Sequence, residues 1–272
     1  MIIAEALNKS APLLLERRRL LEYITQHNYA YLLAHANDSL TDLQASLFHQ
    51  LLARLHQGEP LAYVIGEQEF YGLTFKVTPA VLIPRADTEL LIDLALPVLN
   101  SLDHPRCLDL GSGSGAIAVT LCALCPHIEM TAVDVSVEAL KVAQDNADRL
   151  LKERVSHLTW LHSDWYENVT GDYEVIFSNP PYIAEGDPHL SQNGLPFEPQ
   201  LALTSPHQGT QALEQIITKA PRFLKRPGKL FVEHGYDQER AVHLFMQQAG
   251  FSDIKTHYDL NRLPRVTNGI LL

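Results

Sequence analysis

Asp109-Leu110-Gly111-Ser112-Gly113-Ser114-Gly115 follows an apolar run and leads into a second one, residues 116–124, with the composition of a helix. Glycines between a strand and a helix let the chain turn sharply and let a ligand approach the backbone, as at the first strand of an open α/β sheet. Outward from this turn, strand and helix patterns alternate. Strands are expected at 107–110, 130–134, 158–162, 175–178, 229–233, 254–258 and 266–271. Helices are expected from Asp87 to about Leu99 and at 116–124, 137–151, 212–223 and 238–248, with an irregular proline-rich stretch before 212. This alternation predicts a Rossmann-like α/β fold with a mostly parallel seven-stranded sheet covered by helices on both faces.

The chain ahead of this region is different in kind. Residues 1–65 carry helical signals and almost no strand alternation. Leu13, Leu14, Leu20, Leu21 and Ile24 recur near helical spacing. Thr41 and Gln44 have the form of a capping box ahead of Leu43, Leu47, Leu51, Leu52 and Leu55, and Gly58 stands where a glycine ends a helix. A small helical domain, 1–65, is expected, either as a packing accessory or as a docking surface for a partner. The alternation around Gly72 between Glu67 and Val77 predicts a β-hairpin within a linker, 66–84, that joins the helical domain to the α/β domain, 85–272.

With 272 residues, 46% of them hydrophobic, the chain has ample material for a packed core. A formal charge of −11 argues against a broad electrostatic attachment to nucleic acid, so no stable nucleic-acid binding is expected, while a local basic patch stays open. No segment approaches a membrane span, and the first twenty residues lack the apolar core of a signal peptide. Three cysteines without a framework suit a cytoplasmic location; Cys122 and Cys125 form a lone CxxC in an apolar segment and read as buried structural thiols. Thirteen histidines show no ligand spacing, so no metal is expected.

Two cofactor classes fit the glycine turn. Gly111, Gly113 and Ala116 satisfy a dinucleotide pattern, and Asp134, closing the next strand, stands where an acid accepts from ribose hydroxyls in either class. S-adenosyl-L-methionine brings a sulfonium and an amino-acid head instead of a pyrophosphate, and Asp109 beside the glycines suits that cationic end. Asp164 and Trp165, after the third strand, offer an acceptor for an adenine amine and an aromatic face, or form an ordinary cap beside a buried ring.

Asn179-Pro180-Pro181-Tyr182 ends the fourth strand of this domain, at the edge where such sheets place ligands. An amide nitrogen is a poor nucleophile because its lone pair is delocalised into the carbonyl. The Asn179 side-chain oxygen and the Pro180 carbonyl can each accept one N–H of an NH₂ group and hold it as charge builds on nitrogen, while Tyr182 can stack on the flat group. The proton can leave after methyl transfer, so no dedicated base is required.

Taken together, the runs 58–66, 81–89, 108–118, 178–183, Glu198-Pro199 and 233–238 resemble the HemK/PrmC-type glutamine-N5 methyltransferases of peptide-chain release factors. The resemblance covers nearly the whole chain from residue 58 and implies the class I S-adenosylmethionine-dependent methyltransferase fold. It further implies methylation of the glutamine in the Gly-Gly-Gln loop of release factors, with the helical domain contributing to factor binding. By motif, Gly111, Gly113, Gly115, Asp134, Trp165 and Asn179 would contact the cofactor, and Asn179, Pro180 and Tyr182 the glutamine amide, with Pro181 between them. Ser163 replaces a usual glycine, and 204–209 and 261–264 depart from the family pattern without removing a catalytic atom. An adenine or cytosine amino-methyltransferase poses the same chemistry, but it would require a basic channel for nucleic acid. A non-catalytic adaptor or an NAD oxidoreductase has no use for residues 179–182.

Overall fold

The computed structural model describes residues 1–7, 13–192 and 194–272, with the side chains of all of these except Glu153, Arg154 and Ser156. Two compact units emerge: Met1–Glu67 with Ser191–Phe197, and Gln68–Leu190 with Glu198–Leu272.

In the first unit, helices α1 (Ile3–Leu7), α2 (Leu14–Thr25), α3 (Tyr29–Ala34), α4 (Asp42–His56) and α5 (Leu61–Ile65) enclose a core that includes Leu20, Leu21, Leu32 and Phe48. The capping box at Thr41 forms in both directions: its hydroxyl accepts from the Gln44 N–H at 3.2 Å while Gln44 Oε1 accepts from the Thr41 N–H at 3.0 Å. Gly58 follows the α4 C-cap with φ +88° and donates to the Leu55 carbonyl. Leu43 is 79% exposed, because the buried stripe of α4 runs through Phe48, Leu51, Leu52 and Leu55, spacings of three and four that leave the first turn outside it.

The second unit opens on the hairpin of β1 (Glu67–Phe70) and β2 (Leu73–Lys76), turned at Tyr71-Gly72, both with positive φ. A 3₁₀ turn (Ala86–Thr88) precedes α6 (Glu89–Leu99), and then come β3 (Arg106–Leu110), α7 (Ala116–Leu124), β4 (Glu129–Asp134), α8 (Val137–Leu151), β5 (Leu158–His162) and β6 (Tyr173–Ser178). The remaining elements are β7 (Ile183–Ala184), α9 (Gln200–Leu203), β8 (Thr204–Ser205), α10 (Gln211–Lys219), β9 (Leu224–Glu233), α11 (Glu239–Gln248), β10 (Ser252–Tyr258) and β11 (Pro264–Leu271). Seven strands form one sheet in the order β10-β11-β9-β6-β3-β4-β5. The five from β9 to β5 are parallel, and β11 is antiparallel to both of its neighbours. This is the expected Rossmann-like class, strand for strand.

Side chains alternate across the sheet as a strand requires. Cys107, Val175 and Phe177 pack on one face with Leu91, Ile92 and Leu121. Leu108 and Ile176 pack on the other with Leu213, Ile217 and Val242. All three cysteines are buried and free, and burial pushes the Cys122 thiol up to about 12, far from a reactive thiolate. No helix among the described residues is long and apolar enough to cross a membrane.

Several details depart from the sequence pattern. β9 begins at Leu224 rather than 229, because Pro227 and Gly228 interrupt the apolar alternation that a strand would show. α10 ends at Lys219, and Pro221 belongs to a 3₁₀ turn because it cannot donate into a continuing helix. The proline-rich stretch contains a two-residue parallel pair, β7 with β8. β3 has β4 on one side and β6 on the other, so the strand order reverses at β3 and a crevice opens beyond the carboxyl ends of β3 and β6.

Candidate active site

The backbone beyond β3 is fixed by short-range hydrogen bonds. Gly111 and Ser112 both donate to the Val133 carbonyl, at 2.8 and 2.9 Å, and Gly113 donates to Asp134 Oδ2 at 2.8 Å. Asp134 Oδ1 accepts from the Ser136 N–H at 2.9 Å, so the acid at the tip of β4 is oriented by backbone groups on both sides. Gly115 caps α7 at φ +82°, and a Cβ there would lie 3.1–3.3 Å from Val119, Trp160 and Ala143, so this position serves packing. The buried Asn146 of α8 ties the turn to the hairpin, donating to the Ser114 and Lys76 carbonyls and accepting from the Lys76 N–H.

A cavity of about 350 Å³ lies over this turn. Of the residues singled out in the sequence, Gly111, Gly113, Asp134, Asp164, Trp165, Asn179 and Pro181 line it. Asp109, Gly115, Pro180 and Tyr182 are not in its lining. Asp109 lies beneath the turn, wholly buried, and neither carboxylate oxygen has a partner in hydrogen-bond geometry. Burial pushes its carboxyl up to about 7, with the Ala118 N–H pulling the other way and the neighbouring Asp134 adding to the rise. Asp134 is raised by burial too, against the pull of its backbone donors.

At the other end of the cavity, Asn179 Nδ2 donates to Thr88 Oγ1 at 3.0 Å, across 91 residues of sequence. Its Oδ1 holds no donor among the described residues, on a side chain that lines the cavity. Tyr182 is turned away from the cavity lining, its hydroxyl donating to Glu233 Oε1 at 3.2 Å and its carbonyl accepting from Gln238 Nε2 at 2.9 Å. Gly209 lets the chain pass here, since a Cβ would stand 2.1 Å from the Tyr182 carbonyl oxygen.

The structure adds residues to which the sequence reading gave no role. Thr88 and Arg85, ahead of α6, join the cavity lining. The nearly buried Glu198 holds that segment in place, accepting from the Ile83 N–H at 3.0 Å and pairing with Arg85. Both positions fall in runs that carry the family resemblance, and that was the one available signal, since a spacing of more than a hundred residues leaves no local pattern. Among the described residues, no group of three or more His, Cys, Asp or Glu could hold a metal ion.

A glycine turn in the β3–β6 crevice of a sheet so ordered defines a class I S-adenosylmethionine-dependent methyltransferase fold, and comparison with known proteins agrees in class. The Methyltransferase small domain family matches residues 87–193. A 16S rRNA methyltransferase from T. thermophilus, solved with AdoMet and guanosine, is similar in fold with a TM-score of 0.53 and 19% identity, over 76% of this chain and 50% of that one. The N-terminal region is more particular, with the PrmC N-terminal domain matching residues 4–66. The release factor glutamine methyltransferase of Bordetella pertussis is 44% identical over 94% of this chain and 94% of its own length, and that of Escherichia coli is 40% identical over 92% and 89%. The chain belongs to the release factor glutamine methyltransferase family.

Proposed function

We propose that the chain transfers a methyl group from S-adenosyl-L-methionine to the side-chain amide nitrogen, N5, of the glutamine in the Gly-Gly-Gln motif of peptide-chain release factors. The observation that carries this reading is the Asn179 amide, anchored through its nitrogen with its oxygen left as an acceptor at the cavity. That oxygen and the Pro180 carbonyl would each accept one N–H of the glutamine amide, keeping the nitrogen aimed at the methyl group as positive charge grows on it. Tyr182, anchored on Glu233, would set the course of the segment that carries both acceptors.

The cavity suits the cofactor on grounds of this structure. Gly113 has open space where a Cβ would project, Ser112 lines the cavity with its buried hydroxyl unpartnered, and Asp109 is a buried carboxylate whose oxygens have no hydrogen-bond partner. Asp134 keeps lone pairs for a ribose diol, Asp164 and Trp165 offer an acceptor and a ring to the adenine, and Gly111, Gly113 and Gly115 shape the turn beneath. Asp109 would act by its charge from below: a cation seated on the turn favours its ionised form. When bound, the cofactor supplies an electrophilic methyl on a sulfonium.

The helical region 1–65 would dock the release factor and 66–84 would link it to the catalytic region 85–272, in a cytoplasmic enzyme without metal, membrane attachment or stable nucleic-acid binding. Incubating an intact release factor with the protein and isotopically labelled S-adenosyl-L-methionine, followed by peptide mass spectrometry, is expected to place one methyl on the Gly-Gly-Gln glutamine. Label on another residue, or none, would refute the assignment.

A further inference from the structure

We propose that Gln238 is a positioning residue for methyl transfer: its side-chain amide pins the Tyr182 carbonyl and so fixes where the Pro180 carbonyl meets the acceptor amide, an inference that rests on Asn179 and Pro180 being the clamp. Neither Pro180 nor Pro181 has a backbone N–H, so the stretch between Asn179 and Tyr182 cannot be held by donors of its own. Each proline also fixes its own φ and confines the residue before it to extended conformations. The stretch is therefore stiff, and its course follows from its two ends. The Asn179 end continues β6, which is hydrogen-bonded to β3 on one side and β9 on the other. The Tyr182 end leads into β7, a strand of two residues.

Gln238 supplies the hold that this second end needs. It is buried at the N-cap of α11. Its Nε2 donates to the Tyr182 carbonyl at 2.9 Å and to the Gln208 carbonyl at 3.3 Å, while its Oε1 accepts from the Gly235 N–H at 2.9 Å. A carboxamide nitrogen has two N–H donors, and both are used here. The sense of the amide is fixed by the same partners, since a flipped amide would set its oxygen against two carbonyls and its NH₂ against an N–H. The Gln238 backbone N–H closes the turn onto the Gly235 carbonyl at 3.0 Å, which keeps the side chain folded over its own turn.

Three segments remote in sequence thus meet at one amide. Gly209 permits the approach: a Cβ there would stand 2.1 Å from the Tyr182 carbonyl oxygen and 2.8 Å from Gln238 Nε2. The run 204–209 departs from the family pattern, yet it keeps what this contact uses, a glycine at positive φ and a backbone carbonyl. The other tie on Tyr182 is of a different kind. Its hydroxyl reaches Glu233, whose carboxyl burial pushes up to about 7, through a side chain that can turn. The Gln238 tie acts on the backbone itself, and a carboxamide does not titrate.

The test measures kcat on an intact release factor at saturating cofactor, with cofactor Kd and stoichiometry from calorimetry, each below the melting temperature of the variant. Compared are the wild type, Gln238→Met, Gln238→Glu, Gly209→Ala and the double variant of Gln238→Met with Gly209→Ala. Gln238→Met keeps the length and removes the polar atoms; Gln238→Glu keeps the shape but sets a carboxylate against two carbonyls. Each single variant is expected to lose about tenfold to hundredfold in kcat, the scale of a misplaced clamp. Cofactor Kd should stay near wild type with one site per chain, and the double variant should lose less than the product of the single losses, because both act on one carbonyl. A purely structural role would lower the fraction of chains that bind cofactor and leave kcat per bound site intact. That result, a folded Gln238→Met enzyme with wild-type kcat, a loss confined to cofactor Kd, or losses that multiply would each overturn the inference. Should both Gln238 variants fail to fold, Gly209→Ala decides alone, and full kcat there overturns it. Absence of methyl transfer by the wild type would instead strike the proposed function, and full kcat for Asn179→Ala the clamp itself.

Discussion

The two ends of one cavity are built on opposite principles. At the glycine turn, the backbone itself donates to the tip of the adjacent strand: Gly111 and Ser112 to the Val133 carbonyl, Gly113 to the Asp134 side chain. At the amide end, Asn179 is held by Thr88 across 91 residues and Tyr182 by Glu233 across 51, side chain to side chain. Backbone donors have a fixed sense, so the cofactor end has one arrangement available to it. Hydroxyls and amides can reverse theirs, so the amide end is held by side chains whose sense the backbone does not fix.

The largest effect that bears on this contrast is expected from Asn179→Ala. It removes an acceptor aimed at developing charge, and kcat should fall by about 10²–10³, roughly 2.7–4 kcal/mol. Near-normal kcat at saturating cofactor and release factor would break the contrast, because Asn179 would then belong to the cofactor end.

Asp109→Asn probes the carboxyl beneath the turn. Folded Asp109 titrates near 7 against an ordinary 3.8, so between these values folding takes up a proton and stability falls as pH rises. Above 7 the cost of burying the charge is complete. The asparagine variant should therefore melt higher than wild type at pH 8, by a free energy on the order of 2–4 kcal/mol, and lose part of the slope between pH 4 and 7. Glu233 contributes with the same sign over nearly the same range, so some slope should remain. Identical melting of variant and wild type across that range would show that Asp109 is not strained by burial.

Asp134→Ala should weaken cofactor binding by about 1.5–3 kcal/mol, the worth of a hydrogen bond to a charged acceptor, and calorimetry reads it directly. Unchanged affinity would leave Asp134 as an anchor for Gly113 and Ser136 and nothing more. Smallest is Thr41→Ala, which removes a capping box from the helical unit and should cost about 1 kcal/mol of stability with cofactor affinity intact. A shift in cofactor Kd would show that the helical unit bears on the cofactor end.

The sequence alone determined the class of fold and the place of the glycine turn, because both are written in local periodicity. A strand of period two, a run of glycines, an apolar helix and an acid at the next strand end fall between Arg106 and Asp134, and every hydrogen bond that shapes the turn starts and ends there except the one to Asn146. Asn179 was legible too, as a motif at a strand terminus. Leu43 shows the limit of periodicity, since an apolar residue in a helix's first turn satisfies the period without reaching the core. Only the tertiary structure decided that Asp109 is sealed beneath the turn, that Tyr182 is tethered to Glu233, that Thr88 lines the cavity and that Glu198 holds the segment ahead of α6. Which polar side chain meets which is settled by the strand order that lays β9 against β6 and brings the segment ahead of α6 to their ends, and no spacing along the chain encodes that order.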